Sequence, residues 1–198
     1  GMDANVIGTT ANGSAILANS YGDINATTEL KAGHIDLQST KGNINTAALT
    51  SINNRTLNTA ESIVLKATDG KVTVNGPITA INAKKKDETL GWTVDNLKEL
   101  GTDAGKAKAD VVITAKKGVS LKGTTDVFAV NHAGADALLK ITSNLGNVNK
   151  LAAKGDGDIV TDGAISVYAA GTREMNTNKS GFVEDGGDIN ATANIDLT

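Results

Sequence analysis

The sequence predicts an all-β fold, a right-handed parallel β-helix (solenoid) of about 20 residues per coil, with loop and short-helix insertions. Three observations predict it. Short runs of alternating apolar and polar residues begin after glycines, equivalent aliphatic residues recur every 19 or 20 positions, and aromatic residues make up only 3% of the chain. We expect residues 1–198 to form a single domain around one continuous core.

Composition limits how the core and the turns are built. Hydrophobic residues make up 39% of the 198 residues, so a core poor in aromatics must consist of Ile, Val, Leu and Ala. The chain has 22 Gly and one Pro, Pro77, so its frequent turns depend on residues that tolerate positive φ, chiefly Gly and Asn.

The repeated unit is a small turn residue followed by Ile, Val or Leu at alternate positions, which is typical of a short half-buried strand. Its copies are Gly22-Asp23-Ile24-Asn25-Ala26, Gly33-His34-Ile35-Asp36-Leu37, Gly42-Asn43-Ile44-Asn45-Thr46, Gly70-Lys71-Val72-Thr73-Val74, Gly118-Val119-Ser120-Leu121, Gly146-Asn147-Val148-Asn149, Gly157-Asp158-Ile159-Val160, Gly163-Ala164-Ile165-Ser166-Val167 and Gly187-Asp188-Ile189-Asn190-Ala191.

The spacing of these units separates a solenoid from a sandwich. Ile16 to Ile35 and Ile44 to Ile63 are 19 residues apart, and Ile24 to Ile44 and Ile52 to Val72 are 20 apart. Such a period predicts about eight coils stacked at ~4.8 Å in parallel register, with Ile24, Ile44 and Ile63 in one aliphatic column. We expect the intervening Asn, Thr and Asp side chains to face solvent or to pair between coils.

Three interruptions of the period predict loops at a corner of the solenoid. The main insertion runs from about 81 to 109, and smaller loops cover about 124–136 and 172–186. Within the main insertion, Asp95 as an N-cap and Gly101 as a stop predict one or two helical turns.

The Gly-Asp/Asn-Ile-Asn-Ala/Thr units, their period and the Asn-, Thr- and Gly-rich composition resemble the filamentous haemagglutinin family of two-partner-secretion exoproteins. The resemblance covers the chain outside the three interruptions. It implies a right-handed parallel β-helix, secretion to the bacterial cell surface through an outer-membrane transporter partner, and adhesion to a host-cell or glycan receptor. The family's Asn-Pro-Asn secretion signature does not occur here, so the resemblance is to a stalk or central segment of a longer protein.

Charge and motifs exclude several functions. A net charge of -3 offers no basic surface for nucleic acid, and no run of about 20 apolar residues is present for membrane insertion. There is no Cys, and no P-loop, dinucleotide or nucleophile-elbow motif occurs. We therefore predict a non-enzymatic protein with no cofactor and no metal.

The alternative is a β-helical carbohydrate-active enzyme, a polysaccharide lyase or hydrolase, because such enzymes cluster carboxylates on one face of the helix. Its candidate acids are Asp156, Asp158, Asp185 and Asp188. The repeat favours solvated corner positions for them, as for Asp23 in the equivalent unit, and they lack the bidentate Glu of a calcium loop. The two histidines, His34 and His132, have no zinc-binding spacing.

Aromatic and basic residues come together once, where Lys84, Lys85 and Lys86 precede Trp92. Exposed aromatic residues commonly anchor partners, so these four residues are the candidate partner contacts. The competing and favoured interpretation is that Trp92, Leu97 and Leu100 fold down and seal the flank of the solenoid.

Overall fold

A computed structural model of the chain describes residues 2–9, 14–144, 157–171 and 190–198. These residues contain twenty β-strands and one short 3-10 helix, Val94–Asn96. Eighteen of the strands form three sheets of six, in which every neighbouring pair is parallel.

The strands are numbered in chain order, and each of the three large sheets contains six of them. Sheet A contains β1 (Ala4–Asn5), β4 (Ile24–Ala26), β7 (Ile44–Thr46), β10 (Val72–Val74), β15 (Val119–Leu121) and β18 (Ile159–Thr161). Sheet B contains β2 (Gly8–Thr9), β5 (Leu30–Ala32), β8 (Leu49–Asn53), β11 (Ile78–Asn82), β16 (Thr125–Asn131) and β19 (Ile165–Gly171). Sheet C contains β3 (Ala15–Ser20), β6 (His34–Ser39), β9 (Ile63–Ala67), β14 (Ala107–Ala115), β17 (Ala135–Ser143) and β20 (Ala191–Leu197).

Each coil therefore passes through sheets A, B and C in turn, which confirms the predicted parallel β-helix. One continuous core of Ile, Leu, Val and Ala lies between the sheets, to which Ile24 of sheet A, Leu30 of sheet B and Ile35 of sheet C all contribute. All three side chains are fully buried. A core this thin has no room for large rings, which explains the low aromatic content.

The coils vary in length because extra residues enter at the corners. In sheet A one column runs through Ile24, Ile44, Val72, Val119 and Ile159, whose members are 20, 28, 47 and 40 residues apart. The described residues form six coils, so the prediction of about eight was wrong. The early 20-residue period does not persist through coils that carry insertions.

One predicted column was assigned wrongly. Ile24 and Ile44 are register partners in sheet A, as predicted, but Ile63 lies in sheet C between Ile35 and Val111. The insertion at residues 54–62 shifts the period, so that a 19-residue spacing from Ile44 reaches the wrong sheet. For the same reason Ile52 pairs with Ile81 and not with Val72.

Two predicted insertions also need correction. The loop expected at about 124–136 is mostly β16 and the start of β17, joined through residues 132–134 alone. Phe128 is buried within that strand. The helical turns expected from Asp95 to Gly101 reduce to one 3-10 turn, followed by the strand β13 (Leu97–Lys98). Asp95 lies inside that turn, and Thr93 at the N-cap makes no side-chain cap. The loop predicted at 172–186 lies outside the described residues.

In the described residues, the units Gly22-Asp23-Ile24 and Gly42-Asn43-Ile44 form the corner between sheets C and A. The aliphatic residue points into the core, and the acidic or amide side chain accepts a backbone N–H from the next coil. Asp3 accepts from Asp23 at 2.9 Å, Asp23 from Asn43 at 2.7 Å, and Asn43 from Lys71 at 2.8 Å. Backbone donors that lie outside the sheet ladders are thereby satisfied. On the outer face of sheet A, Asn45 donates to Asn25 at 3.2 Å, so the predicted pairing of stacked amides is confirmed there.

Candidate partner-binding site

Much of the additional chain enters at one corner, between sheets B and C. In the second coil Gly33 alone joins β5 to β6, whereas the third coil inserts residues 54–62 and the fourth inserts residues 83–106. The fifth coil closes the same corner with residues 132–134. This corner is therefore where the structure departs from a regular solenoid.

Buried asparagines near the ends of the sheet B strands donate hydrogen bonds across this corner, and one of them, Asn131, binds the insertion at residues 83–106. Asn53 donates to Gly33 O at 2.9 Å, and Asn82 donates to Lys108 O at 3.0 Å. Asn131 donates to Thr102 O at 3.0 Å and to Gly105 O at 2.7 Å. Asn82 and Asn131 are fully buried. Their amides replace the strand ladder where the backbone leaves the sheet.

Residues 83–106 form what we call the Trp92 hairpin. Its strands, β12 (Lys84–Lys85) and β13, pair antiparallel, with Lys85 opposite Leu97. The Lys85 ammonium lies 4.7 Å from the centre of the Trp92 ring, a cation–π contact. At the turn, Asp87 accepts hydrogen bonds from the Thr89 backbone N–H at 2.9 Å and hydroxyl at 2.8 Å, which lower the pKa of the Asp87 carboxyl.

The Trp92 hairpin covers an apolar column on the outside of sheet B. Ile52, Ile81, Phe128 and Tyr168 follow one another in register along this face. The first three are buried in a second hydrophobic cluster, distinct from the core, that also contains Leu97. The half-buried Trp92 packs against this cluster, and Leu100 is buried against the core. The favoured interpretation of Trp92, Leu97 and Leu100 as a seal on the flank therefore agrees with these contacts.

A groove remains where the hairpin stops short of the end of this column. We call it the Tyr168 groove; its volume is about 340 Å³. Sheet B contributes Val130, Tyr168 and Ala170 to its lining. The Trp92 hairpin contributes the apolar side chains Val94 and Leu97 and the charged side chains Lys86, Asp95, Lys98 and Glu99. The Tyr168 side chain is 36% exposed, whereas Phe128, its neighbour in the column, is 3% exposed.

The four predicted contact residues occupy different positions. Lys84 and Lys85 are half-buried in β12, Lys86 is exposed and lines the groove, and Trp92 packs beneath Lys85. Sequence reasoning missed Tyr168, because its place beside the hairpin follows from a register that the insertions obscure. The signal available was the outward position of Ile52, Ile81 and Phe128, which strict alternation in each strand would have placed in the solvent.

Of the four acids of the enzymatic alternative, Asp158 alone lies within the described residues. Asp158 is exposed at a corner, and its backbone oxygen accepts from Val119 N–H at 2.9 Å. Asp156, Asp185 and Asp188 lie outside the described residues. His34 binds the backbone oxygen of Glu61 through a ring nitrogen, and His132 lies 3.4 Å from Asp103.

Elsewhere on sheet B, Asp126 lies on the outer face of β16 between Thr79 and Ser166. Its partial burial raises the pKa of its carboxyl. Within the ranges that the structure describes, no group of three or more His, Cys, Asp or Glu side chains is arranged to hold a metal. No helix of that part of the chain is long and apolar enough to cross a bilayer.

Comparison with known proteins gives no further assignment. The chain matches no protein-family model, no curated protein and no solved structure. The family resemblance therefore stays a prediction, and any functional proposal depends on the geometry of the corner between sheets B and C.

Proposed function

We propose that this chain is a structural and adhesive segment of a large secreted bacterial surface exoprotein, which attaches the producing cell to host or neighbouring cells. The parent protein would leave the cell through an outer-membrane transporter partner. The observation that carries the proposal is a continuous solenoid whose corner between sheets B and C carries the Trp92 hairpin beside the Tyr168 groove.

The solenoid supplies the structural half of the proposal. Successive coils pair in parallel through all three sheets, and the inward residues Ile44, Leu65 and Val111 have no exposed surface. Stacked coils that share one close-packed core resist bending, because any bend must separate strands or open the core. Such a solenoid holds its inserted segments at a fixed position along its length.

The corner between sheets B and C supports the adhesive part of the proposal. The Lys85 ammonium lies against the Trp92 ring, and Lys86 and Lys98 line the Tyr168 groove. Interfaces are enriched in aromatic residues, and binding pockets are concave, mostly apolar and edged by a few polar groups. The corner has both features.

The test measures binding of the purified chain to cells and to a glycan array, with release of reducing ends assayed in parallel. Replacing Lys84, Lys85 and Lys86 by Ala together with Trp92→Ala should weaken cell binding at least about tenfold. The matched control replaces three exposed lysines on other surfaces, Lys66, Lys117 and Lys140, and removes the same charge. Control binding should equal that of the parent chain.

The outcomes separate the two functions considered. Saturable binding without release of reducing ends supports adhesion. Release of reducing ends by the parent chain would favour the β-helical carbohydrate-active enzyme and overturn the proposal. Equal binding by both variants would show that the corner between sheets B and C does not carry adhesion.

A further inference from the structure

We infer that the Tyr168 groove binds an extended peptide segment of a partner protein, which places one apolar side chain on Tyr168 between an acidic and a basic side chain. The inference rests on the proposed function, since it names the class of partner that the corner between sheets B and C contacts. It follows from the floor, the rim and the size of the groove.

The floor continues the outer column of sheet B, whose other members Ile52, Ile81 and Phe128 are buried. Phe128 and Tyr168 are register partners in β16 and β19, as are Val130 and Ala170 two residues further along. The hairpin residue Leu97 is buried in the cluster that includes Phe128, but Tyr168 is left half-exposed. A tyrosine ring offers a large rigid apolar face and a polar hydroxyl, a combination favoured at binding surfaces.

The rim carries charges of both signs that form no ion pair within the described part of the chain. In the described part of the chain, Lys86, Asp95, Lys98 and Glu99 line this groove but take part in no ion pair within 4 Å. A ligand of one charge sign would face repulsion from two of these four groups. A peptide with a carboxylate and an ammonium on either side of an apolar residue complements all of them.

The size of the groove favours a segment rather than a folded surface. Its volume of about 340 Å³ is at the lower end of the range for ligand pockets, roughly 300–1,000 Å³. That space accepts one large side chain and its neighbours. Extended segments commonly bind in this way, with alternate side chains filling pockets.

The experiment selects peptides from a displayed library of random heptapeptides on the intact chain. Enriched sequences should place an apolar residue between an acidic and a basic one. Synthetic peptides of the enriched sequence are then titrated while the fluorescence of Trp92, the single tryptophan, is recorded. Tyr168→Ala should weaken binding about tenfold or more, whereas Tyr21→Ala, which changes the other tyrosine at a 54% exposed site, should leave it unchanged.

A charge exchange keeps the test decisive if Tyr168→Ala disturbs folding. Lys98→Glu should weaken binding of the selected peptide about tenfold, and a peptide with Lys in place of its acidic residue should restore it. Lys66→Glu, at an exposed site on sheet C, should have no effect. Circular dichroism of each variant establishes that the solenoid is intact.

Several results would overturn the inference. These are a library without enrichment of paired charges, a Tyr168→Ala variant that binds as well as the parent, and a Lys98→Glu variant that the exchanged peptide does not rescue. Cell binding without peptide enrichment would reject the peptide groove and leave the adhesive function standing. Peptide enrichment without cell binding would support the peptide groove and reject the adhesive function.

Discussion

At the scale of single residues, glycine at the corner between sheets C and A is required by space. A Cβ atom on Gly42 would lie 2.3 Å from the backbone of Gly22 and Asp23, and one on Gly70 would lie 2.0 Å from the Gly42 oxygen. Successive coils thus meet backbone to backbone at this corner. Asp23 after Gly22 and Asn43 after Gly42 each accept a backbone N–H from the next coil, so the glycine and the residue that follows it act together at these two positions.

We predict that Gly42→Ala destabilises the solenoid by roughly 1–3 kcal/mol, because the added methyl group can be accommodated only by moving backbone apart. The measurement is a urea unfolding curve followed by circular dichroism. Gly91→Ala is the matched control, since a Cβ there has no atom within 4 Å. Equal midpoints for the two variants would contradict the close approach of the coils.

Asp69 joins three coils by charge. Its carboxylate lies 2.7 Å from the Lys116 ammonium and 3.4 Å from that of Lys41, and hydrogen bonds from these two lysines lower the pKa of Asp69. A lowered folded-state pKa stabilises the fold above pH ~4, the unfolded value, and this stabilisation is lost as the pH falls through the folded-state pKa.

We therefore expect Asp69→Asn to lower the urea midpoint at neutral pH, and the difference from the parent to shrink as the pH falls below 4. The effect should also shrink at high salt, because the three groups are exposed at the surface. A difference that is constant with pH would show that the carboxylate charge is not involved. Asp95→Asn is the control, because this exposed side chain takes part in no ion pair among the described residues.

At the scale of elements, the Trp92 hairpin shows how an insertion is held to a solenoid. It adds no strand to any of the three sheets, and it is held by Leu97 on the outer column of sheet B, by the Leu100 N–H to the Val130 oxygen at 3.2 Å, and by two hydrogen bonds from the buried Asn131 amide. Leu100 packs against the main core, so only the outer part of the hairpin, which contains Trp92 and Leu97, depends on a small apolar contact separate from that core.

We predict that Leu97→Ala detaches the hairpin and leaves the solenoid folded. Loss of a buried Leu side chain costs roughly 2–5 kcal/mol, and we expect this to exceed the free energy with which the small cluster around Leu97 holds the hairpin on sheet B. Trp92 emission should shift to the red, and amide exchange should accelerate at Lys84, Lys85 and Lys98 while far-UV circular dichroism persists. Leu90→Ala, at a 39% exposed side chain of the same hairpin, should change none of these. Loss of the whole fold in Leu97→Ala would show that the hairpin is part of the core.

At the scale of the molecule, the sequence was sufficient to predict the architecture. Alternation and glycine spacing are local, so they identified the strands and the parallel stacking of Ile24 on Ile44. The assignment of residues to coils after residue 53 was not predictable in this way. Residues of one column are neighbours in the sheet, and an insertion lengthens the sequence between them without changing which strands pair. Tyr168 was missed for that reason: its neighbour Phe128 is 40 positions away, and no spacing rule connects them.

A stack of coils also predicts how the molecule unfolds. Among the described strands, those of an inner coil pair with two neighbouring coils, whereas those of the first and sixth coils pair with one, so stability of the 198-residue chain should decrease from the inner coils towards these two. Ile63 and Ile195 occupy the same column of sheet C, but Ile63 is fully buried in the third coil and Ile195 is 48% exposed in the sixth. We expect Ile63→Ala to cost roughly 2–5 kcal/mol and Ile195→Ala less than about 1 kcal/mol. Amide exchange should be slowest in β7, β8 and β14 and fastest in β1, β18 and β20. Uniform protection along the chain, or equal costs for the two substitutions, would show that the coils unfold as one unit and not from the ends inward.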